Sequence, residues 1–216
     1  MNNKELANII DHTLLKADAT KDKIENLCEE ALKYDFASVC VNTYWVPFCA
    51  EKLAGSDVKV CTVVGFPLGA MSSKAKAFET AQAVEDGANE IDMVINIGEL
   101  KAGHYEEVKK DIEMVVEAAK GNTVKVIIET CLLTDEEIVK ASEICVEAKA
   151  HFVKTSTGFS TAGANPRVVK IMHDAVKGQA KIKAAGGVRC KADFDEMVKA
   201  GADRIGTSSG VALMTE

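Results

Sequence analysis

The sequence predicts an α/β fold, a (β/α)8 TIM barrel with an additional N-terminal helix, and three observations carry that prediction. Eight short runs rich in β-branched residues alternate with longer amphipathic stretches, the pattern of parallel strands joined by helical crossovers. Glycines follow several of the helical stretches, where a left-handed residue ends a helix. After the first strand comes Leu14-Leu15-Lys16 and not the G-x-G-x-x-G turn of a doubly wound open sheet. With 216 residues, 47% hydrophobic content and only 3 prolines, the chain is sized for one compact barrel and has no linker to divide it. A single domain over residues 1–216 is expected.

In chain order, a short helix over Asn3–Asn8 precedes the first strand, Ile9–Thr13, the weakest of the eight runs. A helix over Lys21–Tyr34 follows Asp18-Ala19-Thr20, and the next strands are Ala37–Asn42 and Val58–Val64. A helix over Ser72–Asp86 ends at Gly87 and leads to the fourth strand, Glu90–Asn96; a helix over His104–Lys120 ends at Gly121 and leads to the fifth, Val124–Glu129. Thr134 with Glu137 three residues on has the form of a capping box and starts a helix over Asp135–Lys149. The sixth strand is His151–Thr155. Pro166 suits the first turn of a helix running to Lys177, before Gly178 and the seventh strand, Lys181–Ala184. A helix over Lys191–Ala200 ends at Gly201 and precedes the eighth strand, Arg204–Thr207. Glu85-Asp86-Gly87-Ala88-Asn89 and Lys199-Ala200-Gly201-Ala202-Asp203 are two versions of one helix-to-strand turn, without a strict sequence repeat.

Composition excludes several classes of function. A net charge of −7, with no local cluster of Lys and Arg, does not suit nucleic-acid binding. No run is long and apolar enough to cross a bilayer, and Met1–Leu6 lacks the apolar stretch of a secretion signal. Seven scattered cysteines, with no C-x-x-C pair, suit reduced thiols and a cytoplasmic setting. His12, His104, His151 and His173 have no metal-ligand spacing, so no metal and no cofactor is expected.

The chemistry is expected at two lysines. Lys154 lies in His151-Phe152-Val153-Lys154-Thr155-Ser156 and Lys183 in Lys181-Ile182-Lys183-Ala184, on adjacent predicted strands that both read as buried. A lysine facing a barrel interior is costly to desolvate, so it is paired or put to chemical use. Two at similar heights, about 4.8 Å apart by strand spacing, favour loss of a proton from one of them and leave an amine free to attack a carbonyl. Period-2 alternation places Asp92, Val94 and Asn96 on one face of the fourth strand, Lys125, Ile127 and Glu129 on one face of the fifth, Cys40 and Asn42 on the second, and Asp11 and Thr13 on the first. Asp92 balances the lysines from across the barrel, giving a Lys/Lys/Asp cluster suited to Schiff-base formation and proton shuttling. The competing reading is a purely structural ion-pair network. The residues alone do not say which lysine is the nucleophile. Glu129 either tunes a lysine or pairs near its strand end, and Cys40 reads as a buried core residue at the edge of the site.

Gly186-Gly187 after the seventh strand and Gly206-Thr207-Ser208-Ser209-Gly210 at the eighth stand where barrel enzymes bind phosphate with loop amides. Thr155-Ser156-Thr157-Gly158-Phe159 adds hydroxyls and amides to the same mouth, and Thr13 joins the expected substrate-binding residues.

Five segments taken together, Asp11–Lys16, Glu90–Gly98, Val153–Phe159, Lys183–Arg189 and Gly206–Ser209, resemble the deoxyribose-phosphate aldolases in order and over nearly the whole chain. The resemblance implies a metal-free class I aldolase that interconverts 2-deoxy-D-ribose 5-phosphate with acetaldehyde and D-glyceraldehyde 3-phosphate. It implies that Lys154 forms the Schiff base, that Lys183 favours the neutral amine, that Asp92 assists proton transfer, and that Gly158, Gly186, Gly187, Ser208 and Ser209 hold the phosphate. Two departures stand out. Ala162 occupies a position where members often carry a second glycine, with Gly163 beside it. The sequence stops at Glu216, whereas many members continue into a tail that in some ends in a tyrosine implicated in proton transfer at C2; water is expected to serve that step, or activity to be reduced. Two rival readings are a transaldolase-like Schiff-base enzyme on another sugar phosphate and a non-catalytic phosphosugar-binding barrel. A homodimer is the assembly considered, with Trp45, Pro47 and Phe48 either in the subunit contact or in the core.

Overall fold

The computed structural model describes residues 3–215. Met1 and Asn2, part of the segment read as lacking a secretion signal, and Glu216, where the sequence stops, lie outside the described residues.

The chain opens with α1 (Asn3–Ala7) and then winds through β1 (Ile10–Leu14), α2 (Lys21–Tyr34), β2 (Ser38–Val41), α3 (Val46–Lys52), β3 (Lys59–Val64), α4 (Ser73–Glu85) and β4 (Glu90–Val94). The second half continues with α5 (Ile97–Lys101), α6 (Tyr105–Ala118), β5 (Thr123–Ile127), α7 (Asp135–Glu147), β6 (Phe152–Lys154), α8 (Pro166–Val176), β7 (Lys181–Ala185), α9 (Lys191–Lys199), β8 (Arg204–Thr207) and α10 (Gly210–Thr215). The eight strands are parallel neighbours in sequence order and close on themselves through β1 and β8. The expected (β/α)8 barrel with its extra N-terminal helix is the architecture observed.

Two apolar compartments hold it together. The larger lies between sheet and helices, where Val39, Ile91, Val126, Val153, Ile182 and Ile205 point outward from their strands into the helical ring. Inside the barrel a smaller cluster of Leu15, Cys40, Cys61 and Val63 fills one side, beside the buried Asp11, Asp92, Lys125, Lys154 and Lys183. Strand alternation thus sends aliphatic side chains out and ionic ones in, which is why the buried strands lack a continuous apolar run.

Local signals behave as the sequence predicts. Thr134 accepts from the Glu137 backbone N–H while the Glu137 carboxylate accepts from that of Thr134, closing the capping box. Asn165 caps α8 with Pro166 in its first turn, and Gly87, Gly121, Gly178 and Gly201 all have positive φ.

The differences are local. β4 ends at Val94, because Asn96 turns its side chain onto the Glu99 N–H and starts α5. β5 ends at Ile127, and Glu129 adopts a left-handed conformation with φ 54°. α3, α5 and α10 go unpredicted: at five to seven residues each, they are too short to display a helical period. Trp45 and Phe48 are half-buried and pack against the core from α3 and the turn before it, while Pro47 is exposed.

Candidate active site

The barrel register sets the site. Asp92 pairs with Lys125 across β4 and β5, Lys154 pairs with Lys183 across β6 and β7, and Lys183 pairs with Arg204 across β7 and β8. All these side chains point into the barrel, and the chemistry concentrates at Asp92. Its Oδ2 accepts from Lys154 Nζ and from Lys183 Nζ, each at 2.7 Å, and its Oδ1 accepts from Lys125 Nζ at 2.8 Å and Cys61 Sγ at 3.2 Å. The three residues singled out in the sequence, Lys154, Lys183 and Asp92, therefore meet at one carboxylate.

Sequence reasoning missed the layer beneath. Lys125 Nζ also lies 2.6 Å from Glu90 Oε2 and 3.6 Å from Asp11 Oδ2. Asp11 pairs with Lys183 and, at 2.5 Å, with Arg204, whose guanidinium also reaches Glu90 at 3.3 Å. The interior thus holds four cations, Lys125, Lys154, Lys183 and Arg204, against three carboxylates, Asp11, Glu90 and Asp92. Lys125 and Asp11 were legible as inward-facing, but Glu90 and Arg204 each open a strand and read like ordinary surface charges.

The electrostatics follow from burial and partner count. Burial alone pushes the Asp92 carboxyl up, but Lys125, Lys154 and Lys183 outweigh it and hold Asp92 well below the usual carboxylate range. Asp11 is likewise held down, burial being outweighed by Lys183, Lys125 and Arg204. Burial would push Lys183 down, yet Asp11 and Asp92 lift it above the ordinary lysine value. The mutual deprotonation expected of two adjacent lysines is therefore overridden at Lys183, which two carboxylates keep charged.

Lys154 differs from Lys183 in two respects. Its one carboxylate contact is an oxygen it shares with Lys183, and it lines the floor of a cavity of about 430 Å³ at the barrel mouth, which Lys183 does not reach. The cavity wall contains Thr13, Gly158, Gly186, Gly187 and Ser208 from the expected phosphate set, together with Lys16, Arg189 and Phe159. Ser209 lies just behind, its backbone N–H donating to Thr207 Oγ1 at 2.9 Å. Lys16 and Arg189 are exposed cations to which the sequence reading gave no role, although each closes one of the motifs that carry the resemblance.

The loops around the mouth are knitted to one another. The Thr155 hydroxyl donates to the Ala185 carbonyl at 3.1 Å and accepts from the Ala185 N–H at 3.0 Å, tying the end of β6 to β7. A Cβ on Gly163 would sit 2.1 Å from the Gly186 carbonyl oxygen, so the β6 loop can rest on the β7 turn only with glycine there. Ala162, the departure next to it, is exposed and meets no such limit. Glu129 accepts from the Thr157 hydroxyl at 2.5 Å and from the Thr157 N–H at 3.2 Å. Among the described residues it pairs with no lysine, and through Thr157 it anchors the loop after Lys154. Cys40 faces Cys61 beside Asp92, at the edge of the site as expected.

The histidines lie away from Asp92: His12 Nε2 is 2.6 Å from Glu30, His104 Nδ1 is 2.6 Å from Glu99, and His151 Nδ1 accepts from the Val124 N–H. Among the described residues no helix is long and apolar enough to cross a membrane.

Comparison with known proteins agrees with this arrangement. The sequence profile of the DeoC/LacD family aldolases matches residues 6–214. A deoxyribose-phosphate aldolase from Carboxydothermus hydrogenoformans is 59% identical over 97% of this chain and 94% of its own length, and one from Finegoldia magna is 58% identical over 97% and 99%. The solved structure of the deoxyribose phosphate aldolase of Aeropyrum pernix, a tetramer, superposes with a TM-score of 0.93 at 34% identity, covering 99% of this chain and 91% of that one. With its profile matched almost end to end and its barrel shared with these relatives, the chain belongs to the DeoC/LacD family of aldolases.

Proposed function

We propose that this site catalyses the reversible cleavage of 2-deoxy-D-ribose 5-phosphate to acetaldehyde and D-glyceraldehyde 3-phosphate through a Schiff base on Lys154. The single observation that carries the assignment of roles is the asymmetry between the two lysines on Asp92 Oδ2: Lys154 faces the cavity and Lys183 does not. Of Lys125, Lys154, Lys183 and Arg204, Lys154 has the fewest carboxylate partners among the described residues and alone lines the cavity, which suits it to act as the nucleophile.

The neutral Lys154 amine attacks the C1 aldehyde, and loss of water leaves an iminium that withdraws electrons from C2. The C2–C3 bond then breaks, its electron pair forming an enamine, while the C3 hydroxyl loses its proton to a basic relay centred on Asp92. Glyceraldehyde 3-phosphate leaves; protonation of the enamine at C2 and hydrolysis of the imine release acetaldehyde and restore Lys154. Lys183 stays charged throughout, and Asp92 balances the iminium. The phosphate is read as lying against Gly158, Gly186, Gly187, Ser208 and Ser209, with Thr13 also lining the cavity and the exposed Lys16 and Arg189 supplying positive charge.

Trapping tests this directly. Incubation with acetaldehyde followed by borohydride should place a stable ethyl group on Lys154 and nowhere else, read by peptide mapping. An adduct on Lys183 would reverse the roles. An adduct formed only from a ketose phosphate would favour the transaldolase-like reading, and no adduct would leave a phosphosugar-binding barrel. As part of the same proposal the protein works in the cytoplasm with its seven thiols reduced, and a homodimer is the assembly considered, which light scattering decides.

A further inference from the structure

The reaction proposed above leaves two buried thiols beside Asp92 unused. Cys40 on β2 and Cys61 on β3 are direct register partners, and both are fully buried. Their sulfurs and an Asp92 carboxylate oxygen all lie within 4.8 Å of one another. Cys61 Sγ sits 3.2 Å from Asp92 Oδ1 and 3.2 Å from Lys125 Nζ. Adjacent strands hold their α-carbons about 4.8 Å apart, within the range a disulfide spans.

We infer that Cys40 and Cys61 are an oxidisable dithiol, a modification site at which a hydroperoxide closes a disulfide and thereby lowers turnover. The oxidant it takes is small and neutral, because both sulfurs are fully buried beside Lys125 and Lys183. Electrostatics distinguish this pair from the other thiol pair in contact, Cys28 and Cys49 on α2 and α3, which has no buried ammonium beside it. Burial opposes the Cys40 thiolate, and the buried Lys183 ammonium favours it.

In the first step the Cys40 thiolate attacks one peroxide oxygen and the O–O bond breaks. The departing hydroxide takes up a proton and leaves as water, and Cys40 becomes a sulfenic acid. Cys61 sulfur then attacks that sulfur, the S–O bond breaks, and the expelled hydroxide leaves as a second water with the Cys61 proton. Two thiols lose two electrons and one peroxide gains them. The disulfide removes the S–H that Cys61 donates to Asp92. That the change reads out as lost turnover rests on the role proposed for Asp92; the crosslink itself does not.

The experiment treats the reduced protein with a small excess of hydrogen peroxide, alkylates the remaining thiols and maps the peptides. A Cys40–Cys61 crosslink is expected, with turnover falling about tenfold, the factor carried by one hydrogen bond to a charged group, and returning on dithiothreitol. In a Cys61→Ala variant, Cys40 should instead accumulate as the sulfenic acid, trapped by dimedone. Free alkylated Cys40 and Cys61 after treatment, or a crosslink confined to Cys28–Cys49, overturns the dithiol. The expected crosslink with turnover unchanged overturns its effect on the reaction. Borohydride trapping at Lys154 on the untreated protein, run in parallel, separates these outcomes from failure of the aldolase reading.

Discussion

Replacing Lys183 with leucine removes one of the two ammonium groups on Asp92 Oδ2. Both lysine nitrogens lie 2.7 Å from that oxygen, so they are at most about 5.4 Å apart. At such a separation two like charges in a protein interior of effective dielectric about 20 repel by roughly 3 kcal/mol, equivalent to about two pH units. The sign follows from the charge count. In the proposed mechanism this repulsion is what favours the neutral form of the nucleophilic amine. In Lys183→Leu three cations face three carboxylates, the surplus is gone, and the amine stays paired with Asp92 as an ammonium. The acidic limb of kcat/KM should therefore move up by about two units, with activity at pH 7 falling about a hundredfold and recovering log-linearly as pH rises. Rates with the substrate, measured from pH 6 to 10 on the variant, decide it. A limb displaced by less than half a unit, or displaced downward, would refute the electrostatic role of Lys183.

Lys125→Met leaves Glu90 and Asp92 buried without their shared ammonium and should cost about 3–5 kcal/mol of stability, read as a lower denaturation midpoint. Gly163→Ala would drive a Cβ into the Gly186 carbonyl; the displaced loop should raise KM for the phosphorylated substrate more than tenfold while leaving trapping of acetaldehyde at Lys154 intact. Glu129→Gln weakens the anchor on Thr157 and should cost about 1–2 kcal/mol, visible as faster hydrogen exchange in the loop after β6. Stability should also carry a pH signature: the depressed carboxyls of Asp11 and Asp92 contribute fully above the ordinary value of 3.8 and lose their contribution as pH falls below it. The raised amines of Lys125 and Lys183 contribute fully below 10.5 and lose theirs as pH climbs above it. A thermal-denaturation series that is flat across both limits would remove the network from the stability of the fold.

The legible and illegible parts of this molecule divide along physical lines. Strand alternation is a local property, so Lys154, Lys183 and Asp92 could be placed on inward faces from their own neighbours, and barrel closure then brought them together. Glu90 and Arg204 escaped because their environment is set by partners more than a hundred residues away in sequence; at the first position of a strand a charge looks solvated until the opposite strand is known. The left-handed Glu129 escaped for a related reason: nothing in its neighbours marks a non-glycine residue for positive φ. Its conformation is held by Thr157, on the next strand's loop. Expectation was wrong in sign only at Lys183, where two lysines were weighed without Asp11.

That error bears on how the barrel makes an amine reactive. Desolvation is the simple route, and it applies to both lysines here, yet a lysine neutralised by burial alone would need an apolar surround. This interior is ionic, so burial is offset by carboxylates, and whether a given lysine is charged depends on how the carboxylates are distributed among the cations. Asp11 and Asp92 both serve Lys183, Glu90 and Asp92 both serve Lys125, and Lys154 shares a single oxygen with a competitor. In the proposed mechanism, reactivity at Lys154 thus depends in part on residues such as Asp11 and Lys183 that do not line the cavity. Removing one of the supporting carboxylates should matter as much as removing a lysine: with Asp11→Asn, Lys183 would depend on Asp92 alone, and the proton surplus would rise to two. The acidic limb of kcat/KM should then move down, opposite to its movement in Lys183→Leu. Opposed shifts from two substitutions on the same contact are hard to obtain from loosened packing, which would lower activity in both without moving either limb in a particular direction.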